Sequence, residues 1–360
     1  MIKATKKYVF EPDYAVPPGE TLRETIEFLG MSQKELSSRT GLSVQSLNRI
    51  IKGEQPITYE TANILELVLN VPASMWNNLE AQYREQLAKN HERKRLESNL
   101  EWLKSIPVAE LVKRQIVPPL EDKVEQLRAV LAFFGVSSVS AWHRIWDEPA
   151  VAARRTACFE SCPGVASAWI RQGEIQANSI DCADFSKNKF KDALLEIRKL
   201  TVLTPQEFTD KMRLFCAESG VALVFVPEMK RAPWYGATKW ISPNKAMILL
   251  NLRGKMEDLF WFAFFHEAGH VLHDSKKDLL INNGSKIHED EREIRANEYA
   301  AEFLIPERYN ERIRRARSKQ DLINIANLLE ISPGIVAGRR QYLTDNYRYF
   351  NGLKRKFEWA

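Results

Sequence analysis

Along most of the chain, apolar residues recur every three or four positions, the spacing of helices that bury one face. Between residues 32 and 53 the run SQKELSSRTGLSVQSLNRIIKG predicts helix, sharp turn, helix. Ser32 and Glu35 have capping-box spacing, and Leu36 supplies an apolar face. Gly41 can take the left-handed conformation that a tight turn needs, with Leu42 beneath it. Ser43 caps the second helix, Leu47, Ile50 and Ile51 face inward, and Gly53 ends it. Further on, YREQLAKNHERKRLESNLEWLKSIP (83–107) carries its apolar residues near its ends, with AKNHERKR between. That predicts one solvated connecting helix. Residues 108–200 read as helical, with aromatic-rich pieces such as LRAVLAFFGV and AWHRIW, and show no catalytic constellation.

The pattern then shortens. GVALVFVP (220–227) is β-branched and bounded by Gly and Pro, and AMILLN (246–251) follows the turn SPNK; both predict strands. The dense apolar run LFWFAFFHEAGHVLH (259–273) predicts a helix, and after a polar stretch EDEREIRANEYAAEFLIP predicts a second one ending at Pro306. SKQDLINIANLLEISPGIVAGRRQYL (318–343) repeats helix-turn-helix spacing, but Pro333 stands where a recognition helix would begin. A structural helical cap is the preferred reading there, ahead of DNA contact by Arg339 and Arg340. The expected fold class is mainly α with a small β-sheet, α+β.

A chain of 360 residues with 44% hydrophobic content suits two to three folded domains. The net charge of +5 is uneven: residues 307–360 hold twelve Lys/Arg against six Asp/Glu, densest in RYNERIRRARSK (308–319). Such a run is first a solvated face and second a surface for nucleic acid or an acidic partner. The longest apolar run, around 259–265, is too short to span a membrane. The N-terminus MIKATKKYVFEPDY has no apolar core of signal-peptide length. Cys158, Cys162, Cys182 and Cys216 show neither CxxC spacing nor a dense framework, so reduced thiols in a cytoplasm are expected. Cys158 and Cys162 lack a further pair that would make a metal site.

The sharpest chemistry is HEAGH at 266–270. Two histidines four apart on a helix lie one turn above each other, so His266 and His270 can reach one metal ion. Glu267 lies about 100° round the helix, placed to take a proton from a water at the metal without being a ligand. That is the zinc-peptidase arrangement. On the second helix, Ile294, Asn297, Ala300, Ala301 and Leu304 are expected to share one face, with small alanines allowing close approach. Glu293 lies on that face, Glu298 and Glu302 point away, and Asp290 is the next candidate one turn earlier. His273, about 10 Å along the axis from His266, is too far to join the same ion. Two His, one Glu and an open position make a catalytic zinc pattern.

Near the start of the second N-terminal helix, Val44, Gln45, Asn48 and Arg49 are left facing outward. Gln and Asn can pair with adenine, Arg with guanine, and Val can touch a thymine methyl. Gln33 and Lys52 suit backbone phosphates. Against this, residues 17–75 hold five Lys/Arg and seven Asp/Glu, so the segment has no global basic field.

Residues 17–87, from PPGETLRETIEFLGMSQKELSSRTGLS to MWNNLEAQYREQL, resemble HigA-type antitoxins of the Xre helix-turn-helix class. Residues from about 190 to 345, with GATKWISPNKAMILL, FFHEAGHVLH and EIRANEYAAEFLIP, are similar to the ImmA/IrrE family of zinc metallopeptidases. The second resemblance implies zinc ligands His266, His270 and Glu293, with Glu267 as general base and later proton donor. It also implies repressors of the Xre class as substrates of some relatives. The expected domains are an arm (1–16), a helix-turn-helix bundle (17–80), a connecting helix (81–107), a helical middle (108–200), a zincin-like peptidase (201–345) and a basic tail (346–360). The expected function is a cytoplasmic, homodimeric regulator that binds a double-stranded operator and carries a Zn2+ endopeptidase acting on a repressor-like protein or a toxin-antitoxin partner. The rival expectations are a regulator whose zinc domain senses or binds without cleaving, and a peptidase whose N-terminal unit binds protein. Tyr235, His273 and His288 are unranked candidates for the oxyanion donor.

Overall fold

Two serine caps and a left-handed glycine set the N-terminal hairpin of helices. The computed structural model describes residues 15–146, 162–230, 234–276, 279–282 and 291–359. The chain falls into two compact units, Met1–Leu100 and Glu101–Ala360. The first holds α1 (Pro18–Phe28), α2 (Gln33–Thr40), α3 (Val44–Ile51), α4 (Tyr59–Leu69) and α5 (Ala73–Glu97). Ser32 accepts the Glu35 N–H at 3.1 Å, and Ser43 accepts that of Ser46 at 3.0 Å. Each such cap is worth about 1 kcal/mol. Gly41, at φ 73°, closes α2 through its N–H to the Ser37 carbonyl. Leu22, Ile26, Leu36, Leu47, Ile50, Leu65 and Trp76 bury together as the core of this unit.

Two details differ from expectation. Glu35 does not complete the capping box, because its carboxylate takes Arg39 one turn along at 2.6 Å. The long charged helix begins at Ala73, behind Pro72, and stops at Glu97; Leu100–Ser105 tighten into a 3-10 turn instead of continuing to 107. Glu80 holds α5 to the bundle by accepting the Ile57 N–H at 3.0 Å while pairing with Arg84 at 2.6 Å.

The second unit is organised on a four-stranded sheet of order β1-β3-β2-β4. Its strands are β1 (Val221–Phe225), β2 (Gly236–Ser242), β3 (Lys245–Leu250) and β4 (Leu279–Asn282). β1 runs parallel to β3, and β2 runs antiparallel to both β3 and β4. Around it lie α6 (Val108–Lys113), α7 (Lys123–Phe134), α8 (Val139–Trp146), α9 (Pro163–Ser179), α10 (Lys187–Lys199) and α11 (Pro205–Glu218). There follow α12 (Glu257–His273), α13 (Glu291–Leu304), α14 (Asn310–Arg315), α15 (Lys319–Leu329) and α16 (Pro333–Thr344).

Strand alternation gives the sheet two buried faces. Val221, Leu223, Ala246, Ile248 and Leu250 share a core with Phe264, Phe265 and Ala268 of α12. Met247 and Leu249 turn the other way and close over Gly173 of α9. Trp169 of α9 fixes that layer by donating its indole N–H to the Val226 carbonyl at 3.2 Å. The order of layers is therefore α9, sheet, α12 with α13. The middle region, expected only to be helical, supplies one whole face of the sheet.

The basic C-terminus is not a loose tail. Phe357 is buried in the α12 core, and Arg355 reaches the fully buried Glu257 at the start of α12. Ile325, Leu329, Ile335 and Val336 of α15 and α16 pack into the same core. Arg339 donates to Asn310 at 3.0 Å and Arg340 to the Ala316 carbonyl at 2.9 Å, which supports the structural-cap reading. Among the described residues, no helix is long and apolar enough to cross a membrane.

Candidate metal centre and DNA-facing helix

α12 is apolar on nearly every side because the sheet, α13 and α16 all cover it, so its polar residues are buried by the fold itself. His266, Glu267 and His270 are 0–1% exposed. α13 comes close because its facing residue is small: a Cβ on Gly269 would lie 3.3 Å from the Ala296 Cα. This close approach delivers Glu293 to the two histidines. The buried face of α13 is Glu293, Ala296, Ala300 and Leu304; Ile294, expected on it, is exposed.

Donor atoms of His266, His270 and Glu293 lie within 4.8 Å of one another. The Nε2 atoms of the two histidines are 2.9 Å apart, and Glu293 places Oε2 3.2 Å from His266 and Oε1 3.4 Å from His270. Each imidazole has its other nitrogen engaged: His266 Nδ1 with Asn297 Oδ1 at 2.9 Å, His270 Nδ1 with Asp274 Oδ2 at 2.6 Å. In the neutral imidazoles that bind a metal, protons held at Nδ1 leave both Nε2 lone pairs aimed at one point. Two facing lone pairs repel, and the buried Glu293 Oε1 has no hydrogen-bond partner. A cation resolves both problems. Tetrahedral zinc with bonds of about 2.0–2.2 Å sets neighbouring donors about 3.3 Å apart, so the residues present fit that ion.

The electrostatics agree. Burial opposes ionisation of Glu293, but the hydrogen bonds and charges of His266 and His270 hold its carboxyl well below the usual range. Burial also works against charge on His270, yet Asp274 and Glu293 push it up to about 9. The pocket draws positive charge to itself. Asp274 is in turn gripped by Arg295.

Glu267 stands apart from the three donors and is pinned against β2. Thr238 donates its hydroxyl to Glu267 Oε2 at 2.7 Å, while Oε1 is buried and unpaired. Gly236 leaves the necessary room, since a Cβ there would sit 2.6 Å from Oε1. Burial pushes the Glu267 carboxyl up to about 8. His273 is exposed and rests edge-on against Tyr299, outside the cluster. Tyr235 lies under the Arg253 guanidinium, whereas Asp290 and His288 fall outside the described residues.

In the first unit, Val44, Gln45, Asn48, Arg49 and Lys52 are all exposed along α3 and its C-cap, and Gln33 is half-buried at the start of α2. The helix thus presents to solvent the side chains that could touch base edges. Sequence reasoning missed Asp274, Thr238 and Gly236, and it placed Asn297 on the facing side of the second helix without its contact to His266. Asp274 had a signal, being four residues beyond His270 on the same helical face.

A sheet flanked by two helices that join two histidines and a glutamate, with a second glutamate beside them, defines a metallopeptidase-like domain. Residues 222–340 match the peptidase family model described as the IrrE N-terminal-like domain, and residues 22–76 match that described as helix-turn-helix. The chain therefore carries an Xre-type helix-turn-helix domain followed by an IrrE N-terminal-like domain. No curated protein and no solved structure matches the chain at a significant level.

Proposed function

We propose that this protein is a DNA-binding transcriptional regulator carrying a zinc-dependent endopeptidase, with His266, His270 and Glu293 as the metal ligands and Glu267 as general base. The observation that carries the reading is the Glu267 carboxylate: it lies beside the metal-ligand cluster without belonging to it. A structural metal has no use for such a group. Bound zinc would acidify a water and polarise the scissile carbonyl. Glu267 accepts the proton of the attacking water at Oε1, the oxygen that Thr238 leaves free, and passes it to the departing amine. The substrate is a repressor-like protein or a toxin-antitoxin partner, and the setting is the cytoplasm. The helix-turn-helix domain binds a double-stranded operator as a homodimer, through Val44, Gln45, Asn48 and Arg49 at bases and Gln33 and Lys52 at phosphates.

The second reading is a regulator whose metal domain senses or binds a partner without cleaving it. The complete burial of Glu267 under β2 favours it. Incubating the zinc-loaded protein with a candidate repressor, wild type beside Glu267→Gln, separates the two. Cleavage that depends on Glu267 supports the peptidase; binding of the same repressor without cleavage supports the sensor.

A further inference from the structure

The helix-turn-helix domain is poor in the charge that DNA affinity requires. Neutralising phosphates supplies most non-specific affinity for DNA. Yet residues 17–75 carry seven acids against five bases, and Arg39 is already paired with Glu35. The chain's surplus of positive charge lies elsewhere, in residues 307–360 of the second unit.

There the cations are displayed, not consumed. Among the described residues, the side chains of Arg312, Arg317, Lys319 and Arg348 are exposed and make no hydrogen bond or ion pair. The neighbouring acids are committed. Glu311 pairs with Arg314 at 3.1 Å and Arg315 at 2.7 Å, and Asp321 caps α15 by accepting the N–H groups of Arg317 and Ser318 at 2.9 Å. The segment is rigidly mounted: Ile313 and Ala316 are buried, and Arg340 donates to the Ala316 carbonyl while lying over Phe350. The Lys319 ammonium reaches Gly352, which brings the 348–352 turn to the same surface. Four unpaired cations are thus held on a fixed frame.

We infer that Arg312, Arg317, Lys319 and Arg348 form a second, sequence-independent binding surface for the DNA backbone, on the metallopeptidase-like unit. It rests on the DNA-binding reading only in supposing that the chain meets DNA. The α3 side chains choose the site, and this surface supplies affinity that the acidic bundle cannot. An acidic protein would be the other occupant of such a patch. The counterion-rich phosphate backbone is favoured because it makes up the deficit on the helix-turn-helix domain.

The test uses the full chain and a random-sequence duplex of about 30 base pairs, with affinity measured by fluorescence anisotropy across a salt series. The combined variant R312Q, R317Q, K319Q and R348Q is compared with wild type and with Asn48→Ala, after circular dichroism confirms unchanged folding. Each phosphate contact contributes about 0.9 to the slope of log affinity against log salt, so the combined variant should flatten the slope by about 3 to 4. Its low-salt affinity should fall at least tenfold, while Asn48→Ala changes neither. If random duplex is bound this way but no operator is selected, the inference stands and the base-reading role of α3 falls. If the combined variant keeps slope and affinity within twofold of wild type, or wild type binds no duplex, the surface is not for DNA.

Discussion

The Oδ2 atom of Asp274 lies 2.6 Å from the Nδ1 atom of His270, at the point where α12 ends. The carboxylate fixes the imidazole proton on Nδ1 and presents Nε2 to the metal position, while Arg295 holds the carboxylate from the other side. Asp274 is thus a positioning residue, not a ligand. Replacing it with alanine should weaken zinc binding about 10–100-fold, as loss of such an outer partner does. Asp274→Asn, which keeps an acceptor oxygen, should lose less. Competition with a chelating dye measures both; equal zinc affinity in Asp274→Ala and wild type would refute the role.

Zinc should bind at about one ion per chain. His266→Ala and His270→Ala should abolish binding, and Glu293→Ala should weaken it substantially. Free zinc at about a hundred times its dissociation constant stabilises a folded protein by about 2.7 kcal/mol. A chelator should therefore lower the melting temperature of the wild type by several degrees and leave that of His270→Ala unchanged. Retention of full zinc by Glu293→Ala would reopen the assignment to Asp290.

Glu267→Gln is nearly isosteric and should leave both fold and zinc affinity in place while removing any proteolysis. Thr238 can still donate to the amide oxygen, so the side chain has no reason to leave its place on β2. Repressor cleavage that continues at the wild-type rate in this variant excludes Glu267 as the base.

The motif helices and the paired caps were legible because their cues are local. HEAGH needs only helical spacing, and Ser32, Gly41 and Ser43 act on neighbours within a few residues. β2 gave no hydrophobic alternation: one face carries Gly236 and Thr238 for Glu267, the other Ala237 and Lys239, the latter ion-paired with Glu174 of α9. Both faces serve partners far off in sequence, so no period of two survives. The role of α9 was hidden for a similar reason, since its buried stripe matches any helix that packs on something. Arg355 looked like part of a solvated basic run because its partner, Glu257, lies 98 residues away.

That last pair makes a stability prediction. Glu257 is fully buried at the start of α12, where Arg355 Nε at 2.7 Å and the Ser332 hydroxyl at 2.8 Å both reach its Oε2. Arg355→Ala strands a buried carboxylate and should cost about 2–4 kcal/mol, the figure reduced because the arginine is partly exposed. Adding Glu257→Gln should recover part of the loss by removing the charge. Urea melts read both. An Arg355→Ala protein as stable as wild type would show the C-terminal strap to be superficial.

The helix-turn-helix domain makes the last prediction. Helices of this kind place their first residues against base edges, and dimers read two half-sites one helical turn apart. α3 begins at Val44 and exposes Val44, Gln45, Asn48 and Arg49, while Leu47 and Ile50 anchor it in the bundle core. The exposed four can thus be changed without emptying that core. The protein should protect a roughly palindromic operator, to be sought first in its own promoter region. Asn48→Ala should cost about 1–3 kcal/mol at that site and little on unrelated DNA, because an asparagine read against adenine carries sequence information. Lys52→Ala, at the C-cap of α3, should weaken every sequence alike and flatten the salt dependence by about one phosphate contact. Footprinting across the upstream region at physiological salt tests the whole set. A protected site that survives alanine at all four exposed positions would assign this helix to protein binding instead.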